Sequence, residues 1–209
     1  MAILSHSDPA IIGRHGNVIV YQWRGKTIMR TMPKKSIHVP TPAQLAHRAK
    51  FSLVARFLSP LRELIANAYT DVPAQGRMRL SAASTYHLQH AISGDYPNFN
   101  MDYPKVVVSR GALATPKSCA MSANPKIVEL SWRDNSGDAV SSSADQLFVV
   151  LYQPELQTVR LLANIATRET GRISIARPVD GPTGPLHIWA GFSNAQTKAW
   201  STSVYLGIA

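Results

Sequence analysis

Apolar and polar positions alternate with two different periods along the chain. Residues 17–31 read NVIVYQW, then Arg24-Gly25, then KTIMRT. These are two β-type runs around a two-residue turn whose second position is glycine, the residue that supplies the positive φ of a primed hairpin turn. A loop of that length sets Trp23 opposite Lys26, Tyr21 opposite Ile28 and Ile19 opposite Arg30. One face then carries Trp23, Tyr21, Ile19 and Ile28 with Lys26 and Arg30, and the other Val18, Val20 and Met29 with Gln22, Thr27 and Thr31. Both faces are partly apolar, and a lone hairpin is marginal in water, so both are expected to be covered.

A 3.6-residue period takes over at TPAQLAHRAKFSLVARF. Thr41 fits an N-cap, Pro42 the first helical position and Gln44 the reciprocal position of a capping box. Leu45, Ala46, Ala49, Leu53 and Phe57 cluster on one side, whereas Arg48, Lys50 and Arg56 scatter at ~100° per residue. Ser59-Pro60 interrupts this helix. LRELIANAY continues the pattern to Tyr69, and Arg77 to Ser93 reads as a third helix that stops before Gly94. Tyr96-Pro97 and Tyr103-Pro104 mark an extended connector.

From Lys105 the period shortens to two. KVVVSR, KIVELSW, QLFVVLY, TVRLLANIA, RISIA, LHIWAGF and WSTSVYL read as seven short strands separated by turn signals, the pattern of an all-β sandwich. The expected fold is therefore α+β: an N-terminal β-hairpin and helices, then an antiparallel immunoglobulin/fibronectin-III-like β-sandwich. The expected division is a basic hairpin–helical module over 1–103 and a sandwich over 104–209.

Charge changes this picture more than composition does. The formal net charge is +10, and residues 1–80 hold twelve basic and three acidic residues, so the excess belongs to the hairpin–helix half. That imbalance suits a polyanion or an acidic protein patch. The single cysteine, Cys119, excludes an internal disulfide. MAILSHSDPA lacks the basic n-region and apolar core of a signal peptide, so synthesis in the cytoplasm is expected, with an exported or virion-like assembly left open as the site of action. No apolar run approaches membrane-spanning length.

The residues IVELSWRDN, Tyr152, Trp189 and FSNAQTKAWSTSVYL resemble a fibronectin-III-type sandwich, with Trp132 where that fold places a core tryptophan on an early strand. The whole chain also resembles a family of uncharacterised bacterial proteins. That likeness is carried by Gly13, Gly16-Asn17-Val18, Trp23-Arg24-Gly25-Lys26, Arg30 and Pro33, and by Pro40-Thr41, Gln44, Arg48-Ala49-Lys50-Phe51 and Tyr96-Pro97. Val108-Ser109-Arg110-Gly111, Trp132, Asp134-Asn135-Ser136 and Ser203-Val204-Tyr205-Leu206-Gly207 complete it. The resemblance implies no activity.

Side chains able to do chemistry are sparse. His87 and His90 share a helix face but lack further ligands at metal-site spacing. Cys119 has no nucleophile motif around it. Asp134, Asp138 and Asp145 do not follow an EF-hand and read as a solvated loop. Gly181-Pro182-Thr183-Gly184 is followed by no GK[ST], so it is not a phosphate loop. These residues argue for no enzyme, no cofactor and no metal. The residues expected to form an interface or to bind a polyanion are Tyr21, Trp23, Arg24, Lys26, Arg30, Lys34, Lys35, Arg48, Leu53 and Phe57. The expected function is a structural, self-assembling protein, a repeated subunit of a filament, phage-like particle or surface assembly, joined through the hairpin edge and the helix face. The alternative is an architectural nucleic-acid-binding protein using the basic hairpin. A sandwich that binds carbohydrate or a cell surface is a third expectation, resting on fold analogy.

Overall fold

A computed structural model of the chain describes residues 2–4, 11–23, 25–33, 39–73, 76–138, 140–177 and 184–209. Its contacts form two units, Met1–Thr41 and Pro42–Ala209. The division expected at residues 103/104 falls inside the second unit.

In the first unit, β1 (Ala2–Leu4), β2 (Gly13–His15), β3 (Val18–Trp23) and β4 (Lys26–Thr31) form an antiparallel sheet in the order β1–β4–β3–β2. The hairpin β3–β4 has the register read from the sequence, with Trp23 opposite Lys26 and Ile19 opposite Arg30. Gly25 holds a φ of 74° at the turn, where a Cβ would be strained. The open hairpin edge expected for self-association is absent, because β1 covers one side and β2 the other. The outer edges belong to strands of three residues, and short edge strands blunt strand-to-strand pairing. AIL and GRH are too short to show a period in the sequence.

The second unit opens with α1 (Pro42–Leu58), α2 (Arg62–Ala68) and α3 (Gly76–His90), followed by a two-stranded ribbon of β5 (Ile92–Ser93) and β6 (Asn100–Met101). The sandwich comprises β7 (Lys117–Ala123), β8 (Ile127–Arg133), β9 (Gln146–Gln153), β10 (Thr158–Leu162), β11 (Arg172–Ala176), β12 (His187–Asn194), β13 (Ala199–Trp200) and β14 (Val204–Ile208). One sheet runs β11–β8–β7. The other runs β10–β9–β12–β13, with β14 also paired to β12. The first, second and fifth strands of the sandwich against a sheet centred on the third and sixth form the fibronectin-III-like arrangement expected.

The burial patterns explain the layering. β8 alternates exposed and buried residues along IVELSWR, so only one of its faces meets the core. β9 is buried at every position from Leu147 to Tyr152, so both of its faces are covered. Leu147, Val149 and Leu151 pack with Val128, Leu130, Trp132, Ile188 and Phe192 between the sheets. Phe148, Val150 and Tyr152 pack the other way, with Trp189, against Val54, Phe57, Leu58, Leu61 and Ile65 of the helical layer. The second unit is thus three layers deep, with the helices covering the outer face of the larger sheet.

KVVVSR, expected as the first strand, is not one. Tyr103–Lys105 forms a single turn of 3-10 helix, and the following residues run between the helices and the sheet with Val106 and Val108 buried. Side chains take over the bonding a ladder would supply. The Val108 N–H donates to Ser203 Oγ at 2.9 Å, Ser109 Oγ donates to the Ser201 carbonyl at 2.8 Å, and the Trp189 indole N–H donates to the Val106 carbonyl at 3.1 Å. The sandwich instead starts at β7, whose sequence KSCAMSA lacks the β-branched residues that announce a strand.

His87 lies fully buried in the helical layer. Its Nδ1–H donates to the Ala83 carbonyl at 2.7 Å, and its Nε2 accepts from the Val107 N–H at 3.4 Å. This pattern needs the neutral ring, and burial pulls its pKa below the ordinary 6.5. The unfolded chain therefore binds a proton in a range where the folded chain does not. Stability is full above the ordinary histidine value and declines as pH falls below it. His187, lowered by burial as well, acts in the same direction. Urea unfolding about one unit above and one below pH 6.5 should give the lower midpoint on the acid side. His87→Gln should narrow that difference, and an unchanged difference would remove His87 as a cause.

Candidate functional site

β-Pairing determines which side chains of the N-terminal sheet share a face. Ile19 stands opposite Arg30 on one neighbour and opposite Arg14 on the other. Tyr21, Trp23 and Lys26 follow on the same face by the two-residue period. The Arg30 guanidinium sits 5.3 Å from the centroid of the Tyr21 ring, within cation–π range. Trp23 is 53% exposed, and Lys26 and Arg30 are exposed. This face therefore combines three cations with two aromatic rings. None of the described residues of this unit is acidic.

Among the residues singled out from the sequence, Tyr21, Trp23, Lys26 and Arg30 are brought together here. Arg24, Lys34 and Lys35 lie outside the described residues. Arg14 is an addition that the sequence did not offer, because its place on the face follows from β2 pairing with β3. Arg48 is exposed on α1 and Leu53 is half-buried there. Phe57 belongs to the interior, with its ring centroid 5.1 Å from that of Tyr152 and 5.8 Å from that of His87. The helix side expected as an interface is thus taken up, at Phe57, by the chain's own sheet.

Of the three acids expected in a solvated loop, Asp134 is exposed and Asp138 partly so, but Asp145 is not. Asp145 is fully buried and faces Arg168, itself fully buried, with Asp145 Oδ2 3.2 Å from Arg168 Nη2. Arg168 Nη1 donates to Asn135 Oδ1 at 2.6 Å, and Nη2 also donates to the Ala114 carbonyl at 3.1 Å. The guanidinium carbon lies 3.9 Å from the Phe192 ring centroid, and the Trp132 indole N–H donates to the Arg168 carbonyl. Every partner is internal, so the knot ties the ends of the two sheets. Asp138 sits at its exposed edge, accepting from Lys117 at 2.7 Å and from Asn135 Nδ2 at 3.3 Å, and these hydrogen bonds, that of Lys117 first, hold its carboxyl below the usual range.

The remaining reactive groups are quiet. Burial pushes the Cys119 thiol up to about 11, so it is protonated at neutral pH and a poor nucleophile. His87 turns into the core while His90 is exposed against Tyr86, so the two do not converge. Among the described residues, no three His, Cys, Asp or Glu side chains gather as a cation site. None of the described helices is long and apolar enough to cross a membrane.

A family model described as a family of unknown function (DUF6266) matches residues 10–207. No curated protein matches the chain. Among solved structures, the chain is similar to the fn3 domain of the human collagen alpha-1(XX) chain, at 11% identity and a TM-score of 0.34. That likeness covers 46% of this chain and 83% of the other.

Proposed function

We propose that this chain, which belongs to the family of unknown function DUF6266, is a non-enzymatic structural protein whose N-terminal sheet is its contact surface. The observation that carries this reading is the face formed by Arg14, Tyr21, Trp23, Lys26 and Arg30. A large exposed ring beside cations that have no acid among the described residues of their unit is the composition of an interface anchor. Charge repulsion disfavours two such faces meeting each other. The favoured contact is heterologous, with the basic face of one copy on the mixed-charge sandwich of the next, which carries seven acidic residues over 104–209. Heterologous contacts propagate into rings or filaments.

The same face supports a second reading. Aromatic rings interleaved with cations suit a single-stranded nucleic acid, through base stacking and phosphate contacts. Light scattering over a concentration series, together with fluorescence anisotropy on an oligothymidylate, separates the two. Self-assembly predicts concentration-dependent growth that Trp23→Ser abolishes. Nucleic-acid binding predicts oligothymidylate affinity that falls steeply with salt and is lost in Lys26→Glu/Arg30→Glu. A monomer at every concentration that also ignores the oligonucleotide would refute both.

A further inference from the structure

We infer that a cleft bounded by the C-terminal end of α2, by α3 and by the turns after β10 and β12 binds a small acidic saccharide. The cleft holds about 430 Å³, within the ~300–1,000 Å³ of ordinary small-ligand sites. Arg79, Lys198, Asn67, Asn164, Thr70 and Trp200 line it, and among the described residues no carboxylate does.

Arg79 is fixed in place before any ligand arrives. Its Nε donates to the Val72 carbonyl at 3.2 Å, and its Nη1 to the Ala66 and Asn67 carbonyls at 2.7 and 3.3 Å. These bonds anchor the guanidinium at the end of α2 and satisfy carbonyls that the helix leaves open. They do not neutralise its charge, and no ion pair joins Arg79 to a described acid. Nη2 has no partner among the described residues. Asp71, next to Thr70 in the chain, is occupied by Arg110 at 2.9 Å. Lys198, exposed on the opposite wall, has no partner among the described residues either. Asn164 and Lys198 hold left-handed backbone, with φ of 57° and 55°, which the tight turns at the rim require.

Two separated cations supply charge for one anionic group. Asn67 Nδ2 already donates to the Glu63 carbonyl at 3.0 Å and Thr70 Oγ1 to the Arg110 carbonyl at 3.4 Å, so Asn67 offers its second N–H and its oxygen, Thr70 an acceptor and Asn164 a whole amide, a mixture that sugar hydroxyls can use. Trp200, half-buried and packed with its ring centroid 4.9 Å from that of Phe148, gives an apolar wall for the C–H face of a pyranose. Polyphosphates fit poorly. The helix end at this cleft is a carbonyl end whose partial negative charge opposes any anion, and Arg79 and Lys198 offset it for a single carboxylate but not for the several charges of a polyphosphate. A pyranose bearing one carboxylate matches all of these features.

Calorimetric titration of the full chain with D-glucuronate, D-glucose and inorganic phosphate tests this. Glucuronate should bind saturably, and glucose at least tenfold more weakly. Lys198→Glu should weaken glucuronate at least tenfold with no change in melting temperature. Arg79→Gln should do the same but also loosens α2 against α3, so Lys198→Glu decides. Absence of saturable glucuronate binding, or binding indifferent to Lys198→Glu, overturns the assignment. Phosphate displacing glucuronate at equal concentration also overturns it, by showing a site for any anion.

Discussion

Asp145→Ala should destabilise the second unit by about 3–5 kcal/mol, the usual cost of removing one partner from a buried ion pair. Asp145 and Arg168 are both fully buried. Asp145 Oδ2 accepts from Arg168 and from the Ser142 N–H at 2.9 Å, and Oδ1 accepts from Asn194 Nδ2 at 2.8 Å. Truncation leaves a guanidinium with its charge uncompensated over the Phe192 ring, and it cuts two turns loose. For a unit of this length the melting temperature should fall on the order of 10 °C. Asp145→Leu/Arg168→Met should recover part of the loss, because a well-packed apolar pair competes closely with a buried ionic one. A loss under about 1 kcal/mol in Asp145→Ala would mean that water reaches the pair.

Phe57→Ala should cost about 3–5 kcal/mol, as large-to-small changes at buried aromatics do. Phe57 is 2% exposed, and its ring meets Tyr152, Tyr103 and His87 at the junction of helices and sheet. Phe51, 53% exposed on the same helix, is the comparison, and its replacement by alanine should stay within about 0.5 kcal/mol. Denaturant midpoints of the two variants check this. If Phe57→Ala melts normally but changes association, the residue is a contact residue after all.

Local rules carried the sequence reading well wherever a period or a turn residue was strong. The hairpin register followed from Gly25 and two alternating runs. The start of α1 followed from Thr41-Pro42, and β11 was legible from RISIA. What was hidden depends on pairing at a distance. The role of Arg14 needs β2 beside β3. Phe57 shows the same helical period whether its face meets a partner or the chain's own sheet. KVVVSR has strand composition, yet Ser109 and Ser203 draw it out of any sheet. The Asp145–Arg168 knot joins residues 23 apart in sequence that local spacing does not connect. One clue to the third layer was present. QLFVVLY is apolar without alternation, which signals a strand covered on both faces.

β9 and β12 each lend one wall to the core between the sheets and the opposite wall to the core beneath the helices. Excising the sandwich at its apparent start would lay Phe148, Val150, Tyr152 and Trp189 bare to water as a continuous greasy strip. The portable cassette, the piece that could be grafted onto another protein and remain itself, is therefore Pro42–Ala209, helices included.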